Sequence, residues 1–384
     1  MAQADSNKTN VLFTREATWG ATVNMSTLNM YQTRITGTTM SHDKTTVLSE
    51  ELRSDRMRAD YMEVGVNAGG DFTFELIVDE MLPLFEGLAQ SSAVVASAVQ
   101  AFTVTASAIT GADGWTNNLV VGQWIRTSTT QTAAMNNQVW EITALTSTAA
   151  TVNGTMQVST ITMSVTGKRI KNGTTEQSFV VVQEFENINQ VVYFTGMEVS
   201  QMAMNVASQA VVTGTFSFVG KQGFASAVAS TPVSSIAASA TTNTPMNATS
   251  NVGTIKEAGA SLSTPLRAVN FTINNNLEPR LAIGNKPAIG IRSGTCDVSG
   301  TIEAYFEDLA LLKKFINHSN TSLTFRFTNP GTTLGRMMIW TFPRIFFGAG
   351  SPTAPGINQD VILNLDFTAV RDSTTNCMFQ IDII

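Results

Sequence analysis

Charge is what this sequence has least of. Only 14% of its 384 residues are Asp, Glu, Lys or Arg, against roughly 25% in an average soluble domain, so much of the exterior must be Thr, Ser and Asn. Such groups cost less to desolvate than Lys or Glu, which suits a protein whose outer faces are covered by neighbours. The 23 basic residues against 29 acidic ones leave a net charge of −6, which argues against tight neutralisation of phosphates by clustered Lys and Arg. Two cysteines, Cys296 and Cys377, are too few for a disulfide framework. The two histidines, His42 and His318, lie at no metal-ligand spacing from each other or from a cysteine, which argues against a zinc site. No apolar run approaches the roughly 18 residues needed to span a bilayer, and the N-terminus lacks the order of a signal peptide. These absences predict synthesis in a reducing cytoplasm without membrane insertion. Phosphate-cradling glycine loops and nucleophile elbows are also missing, so neither catalysis nor a cofactor is expected.

What is present is a large apolar fraction, 43% by count, enough for a sizeable core spread over two or three domains. Residues up to Trp19 and Gly20 show no clear period and read as an extended arm. Between Gly70 and Val78, Phe72, Phe74 and Leu76 alternate with Thr73, Glu75 and Ile77, the signature of a half-buried strand. Asp79-Glu80 and then Pro83 introduce apolar residues at helical spacing, predicting a short helix with acids at its positive end. Residues 91–171 turn to Ala, Ser, Thr and Val and hold Trp115, Trp124 and Trp140, which reads as a small separate β-domain with an aromatic core. Residues 225–250, rich in Ala, Ser and Thr and free of period, read as a linker.

After that linker the first pattern returns. Thr73-Phe74-Glu75 is echoed by Thr301-Ile302-Glu303 and Asp79-Glu80 by Glu307-Asp308, each pair followed by an apolar helical run. The alternation Val212, Gly214, Phe216, Phe218 matches Val361, Leu363, Leu365, Phe367. The acidic pairs serve most simply as helix-start residues, and Cys296 as a small core residue. The predicted fold is mainly β (α+β), with two repeated antiparallel β-sandwich or barrel units, each flanked by a short helix. The first unit comprises 1–90 and 172–224, the inserted β-domain 91–171, the linker 225–250 and the second unit 251–384. One stretch concentrates both signs of charge: Glu50, Glu51, Arg53, Asp55, Arg56, Arg58 and Asp60. It reads either as a solvated loop or as a protruding arm whose ions meet another subunit.

The order Asn10-Val11-Leu12-Phe13, Thr18-Trp19-Gly20, Ser49-Glu50-Glu51-Leu52-Arg53-Ser54-Asp55-Arg56 and Gly65-Val66-Asn67-Ala68-Gly69-Gly70 resembles the major tail tube proteins of long-tailed, siphovirus-type bacteriophages. So do Tyr193-Phe194-Thr195-Gly196-Met197, Gly214-Thr215-Phe216-Ser217-Phe218, Glu303-Ala304-Tyr305-Phe306-Glu307-Asp308 and Pro355-Gly356-Ile357-Asn358-Gln359-Asp360-Val361. The resemblance covers nearly all of the chain except the inserted region. It implies a structural subunit of the virion tail whose sheets close into rings, stacked as a hollow tube for genome passage. Two fused units imply a homotrimeric, pseudo-hexameric ring rather than a hexamer. Expected partners are further copies of the chain, the tape measure, tail tip and terminator proteins, and double-stranded DNA in transit. A channel that lets DNA slide should be acidic, so Glu75, Glu303 and Asp366 are expected to face the lumen. Trp19 and the charged stretch from Glu50 to Arg58 are expected at inter-ring or inter-subunit contacts. The alternatives are another virion part, such as a capsid decoration protein or tail fibre, or a carbohydrate-binding adhesin using Trp115, Trp124 and Trp140.

Overall fold

The computed structural model describes residues 3–21, 29–78, 81–227, 235–238, 240–253, 255–329, 335–354 and 356–384. The chain opens with strands β1 (Thr9–Arg15) and β2 (Asn29–Thr33), then β3 (Gly37–Thr38), β4 (Ser41–Leu48), the long β5 (Tyr61–Glu75) and helix α1 (Leu82–Ala89). The segment expected to be an arm instead supplies β1, an interior strand. Val11 and Phe13 enter the main core while Leu12 enters a second cluster on the opposite side with Met30, Val180 and Val182. Burial on both faces removes the polar alternation by which half-buried strands are recognised. Helix α1 has proline in its first turn and ends at Gln90 in the left-handed region. It buries Leu84, Phe85 and Leu88, worth about 1.5–3 kcal/mol per large apolar side chain. Asp79 and Glu80, expected to cap it, lie outside the described residues.

Between α1 and the strand that begins at Ser178 the chain builds β6 (Val94–Val104), β7 (Ala108–Thr110), β8 (Trp124–Ser128), β9 (Gln138–Leu145), β10 (Ala149–Asn153) and β11 (Ser159–Lys171). Their antiparallel pairings run β6–β7–β10–β9–β8–β11 and back to β6, a closed barrel with no free edge of its own. Its interior holds Phe102, Ile125, Ile142 and Met163, with Trp115 and Trp140 packed against them. Trp115 stands edge-on to Phe102 at 4.9 Å between ring centroids. Trp124 does not join this cluster; the Lys256 ammonium lies 4.6 Å over its ring.

Strands β12 (Ser178–Phe185), β13 (Gln190–Ala207), β14 (Thr213–Gly220), β15 (Gln222–Ala227) and β16 (Ser235–Ala238) follow. The stretch read as a linker is packed in part: β16 pairs in parallel with β2, and Met246 is fully buried, its N–H donating to the Leu76 carbonyl. Then come β17 (Lys256–Glu257), β18 (Ala260–Ser261), β19 (Leu266–Asn274), β20 (Glu278–Arg280), β21 (Gly290–Arg292), β22 (Asp297–Tyr305), α2 (Ala310–Ile316), β23 (Thr321–Asn329), β24 (Arg336–Thr353), β25 (Ile362–Ala369) and β26 (Gln380–Ile383). Near the start of α2, Asp308 accepts a hydrogen bond from the Ala310 N–H at 2.8 Å.

The order β5–α1–β12–β13–β14 recurs as β22–α2–β23–β24–β25 with the same pairings. β13 and β24 are both 18 residues long; each pairs at its start with β12 or β23 and at its end with β14 or β25. Thr73 faces Thr215 as Thr301 faces Asp366, so Thr215 corresponds to Asp366. The sequence match placed Thr215 opposite Asn364, two residues short; because strand side chains repeat every two residues, that slip leaves every face unchanged. The two halves join edge to edge through β13 and β19. One sheet therefore runs β3/β4–β5–β14–β13–β19–β22–β25–β24, and every step in it is antiparallel. The barrel attaches elsewhere: β26 pairs with β11 on one side and with the first half of β24 on the other.

Candidate functional site

The long sheet is apolar on one face and polar on the other. Phe72, Phe74, Phe216, Phe271, Ile302, Leu365 and Phe367 are buried in one cluster, so their strand neighbours project the opposite way. Those neighbours form a concave surface with a hollow of about 770 Å³ bordered by Thr73, Asn205, Thr213, Asn270, Thr301 and Asp366. Glu75 is half-buried and opposite Thr213, Glu303 is half-buried and opposite Asn364, and Asp366 is exposed, accepting from the Thr301 hydroxyl at 3.1 Å. All three acids predicted from alternation thus sit on the polar face. Sequence reading missed Asp71, which shares the odd-numbered face of β5, and Arg267, whose Nε lies 3.8 Å from the Glu303 carboxylate.

Two hairpins leave one end of this sheet. The first is the β4–β5 ladder, from Ser41 opposite Gly69 to Leu48 opposite Tyr61. At its base Gly70 has φ +140°, and a Cβ there would meet the Met40 backbone at 2.6 Å, so only glycine lets β5 turn out of the sheet. Its tip, residues 49–60, holds the mixed-charge stretch. Arg53 pairs with Asp55 at 2.9 Å and approaches Glu51 at 3.9 Å, and this guanidinium holds the Asp55 carboxyl below its ordinary value. Glu50, Arg56 and Arg58 are exposed, as are Leu52 and Met57. Trp19 is not at this tip. It is half-buried against Gly196 and lies beneath the Lys221 ammonium, 5.4 Å away.

Sequence reading missed the second hairpin, β20–β21, where Glu278 and Arg292 form an ion pair. The two hairpins lie side by side: the Val66 N–H donates to the Lys286 carbonyl at 3.1 Å, and the Lys286 ammonium is 3.5 Å from Glu63. Leu281 and Ile283 are exposed on its loop. Isolated apolar residues among the turn formers Gly284, Asn285 and Pro287 were its only signal.

A cleft of about 390 Å³ beside the second hairpin is lined by Arg15, Glu16, Trp19, Glu176, Glu198 and Arg280. Glu198 is 4% exposed. Burial, reinforced by Glu176 and Glu16, pushes its carboxyl up to about 7. Glu16 is held by the N–H groups of Gly20 and Gly196 and the hydroxyl of Ser178. A second buried acid, Asp382 on β26, is pushed up to about 8 chiefly by burial, and sits opposite Arg169 of β11 where barrel and sheet meet. Cys296 is half-buried, and burial lifts its thiol to about 11, far from a reactive thiolate.

Among the described residues no group of three or more His, Cys, Asp or Glu is placed to hold a metal, and no helix is long and apolar enough to cross a membrane. A family model described as phage tail tube protein matches residues 6–369. No curated protein matches the sequence.

Proposed function

Because the chain belongs to the phage tail tube protein family, a structural family of the virion tail, we propose that it closes with two further copies into a trimeric ring around an acidic bore, and that stacked rings form the tube through which DNA passes. The observation that carries this reading is a pair of sheet edges. Among the described residues, β24 from Phe346 onward pairs only with β25, and β3 pairs only with β5. Seven antiparallel steps separate them, so the two edges run antiparallel to one another and one copy's β24 is aligned to extend the next copy's sheet. Unpaired strand edges are normally blunted or covered; ring closure removes them.

The internal join supplies the register. Ala203 of β13 pairs with Thr215 and with Thr272, and the repeat turns these three residues into Ala349, Asp366 and Thr39. Ala349 of one copy then faces Thr39 of the next, and Ser351 faces Gly37. The concave polar face becomes the bore, bearing Asp71, Glu75, Glu303 and Asp366 against Arg267, a balance that repels phosphate. The barrel, fixed through β26 to the part of β24 outside this sheet, lies on the exterior. The other tail proteins, among them the tape measure, tip and terminator, meet this tube at its lumen and ends.

Gly37→Cys with Ser351→Cys tests the closure. Oxidation of the double variant should yield a covalent trimer on a non-reducing gel, with rings or tubes in negative-stain images. Rings that assemble but remain uncross-linked overturn the register, and a chain that stays monomeric at every concentration overturns the tube reading itself.

A further inference from the structure

The β20–β21 loop and the opposite end of the long sheet both expose apolar residues but differ in the charge beside them. Both hairpins leave from the end marked by Asn274, Asp297 and Gly69. The opposite end is formed by the turn after Ala207, by Tyr305 where β22 stops, and by the loop before β25, with Tyr305 facing Ile362 and the Phe306 N–H donating to the Val361 carbonyl. This rim exposes Leu309, Ile357 (92%) and Val361 beside the exposed acids Glu307, Asp308 and Asp360. The second hairpin offers the complement: exposed Leu281 and Ile283, flanked by Arg280 and Lys286.

Resting on the tube reading, we infer that the β20–β21 hairpin is a dedicated inter-ring anchor, which seats Leu281 and Ile283 against Leu309, Ile357 and Val361 on the rim of a copy in the next ring. Arg280 and Lys286 meet Glu307 and Asp360 there and set the orientation. Patches on opposite ends of one molecule that complement each other make a heterologous, head-to-tail contact, which repeats without closing and so builds a filament. The partner is a second copy of this chain because apolar surface and opposite charge occur together at both ends. Two apolar residues exposed on a braced hairpin, neither of them in a core cluster among the described residues, mark a surface for association. The bracing comes from Val66 and Glu63 of the first hairpin, which hold the second by a backbone hydrogen bond and an ion pair, so the loop is presented in a fixed place.

The test uses the full chain. Leu281→Glu with Ile283→Glu alters only exposed loop residues and should leave the melting temperature unchanged while assembly stops at single rings, mean tube length by electron microscopy falling at least about tenfold. Arg280→Glu with Lys286→Glu should weaken stacking, and adding Glu307→Lys with Asp360→Lys should restore it. In a mixture of Ile283→Cys and Ile357→Cys chains, oxidation should join unlike copies in preference to like ones. Wild-type tubes with equally long variant tubes overturn the anchor and leave the tube reading standing. Cross-links formed equally well within either single variant overturn the head-to-tail arrangement. A wild-type chain that forms neither rings nor tubes overturns both readings.

Discussion

The ring of Phe85, on the helix of the first repeat, stands edge-on to the indole of Trp340 in the second, with centroids 5.6 Å apart and planes at 76°. Phe271, from the strand that joins the repeats, lies 5.2 Å from the same indole. One core cluster consequently takes residues from both halves, and neither half has a complete apolar interior without the other. Trp340→Ala should destabilise the protein by about 3–5 kcal/mol, through lost transfer energy and the cavity left behind. Denaturant unfolding of the variant should shift as a whole, with far-ultraviolet dichroism and fluorescence moving together. Early loss of one repeat alone would show that the shared core does not couple them.

At Gly70 any side chain would both force a conformation reserved for glycine and press on the backbone of Met40 and the Thr39 carbonyl. Gly70→Ala should cost more than about 2 kcal/mol, and it should displace the first hairpin from its exit path. Amide exchange across Ser41–Leu48 should accelerate more than exchange in β22 or β25. Equal acceleration everywhere would assign the cost to the global fold rather than to this bend.

The buried carboxyl of Glu198 makes the cleft beside the second hairpin pH-dependent. Its folded pKa, about 7, exceeds that of an unfolded glutamate, near 4.3, so the native state holds the proton more tightly. Stability is unimpaired below about pH 4, declines as pH rises between the two values, and reaches its full loss above about 7. The groups facing it, Glu16, Glu176, Arg15 and Arg280, remain in place in a Glu198→Gln variant. That variant should be more stable than the wild type at pH 8, by at most about 4 kcal/mol, and indistinguishable at pH 4. A constant difference across this range would assign the effect to packing.

Reversal of charge on the concave face tests what that face is for. Particles built with Glu75→Lys should assemble normally and release DNA more slowly, because a fixed cation in the bore holds passing phosphates. Glu303→Lys removes the partner of Arg267 and sets two cations near each other, so it should also weaken assembly. Time-resolved DNA release and negative-stain counts of intact tubes measure the two effects. Unchanged release from both variants would show that these acids do not meet the genome.

The parts of the fold that were legible in the sequence are those buried on one side only. Phe72 and Phe74 alternate with Thr73 and Glu75, so strand, core face and polar face could all be read before any contact was known. The same alternation located Glu303 and Asp366. Where a strand is buried on both faces the period vanishes, and Val11-Leu12-Phe13 was misread as part of an arm. The second hairpin left almost no trace, since β20 and β21 are three residues each and the exposed apolar residues between them sit in a loop of turn formers.

Composition and alternation by themselves determined that this chain is strand-rich, duplicated, poor in charge and acidic along particular strand faces, because those properties follow from which side chains must leave water. Tertiary structure alone decided that the repeats share one core and one sheet, that Trp124 lies outside the barrel core, and that two hairpins project together from one end. Those outcomes depend on strand pairing across hundreds of residues, and backbone hydrogen bonds, being common to every residue, write no partner into the sequence.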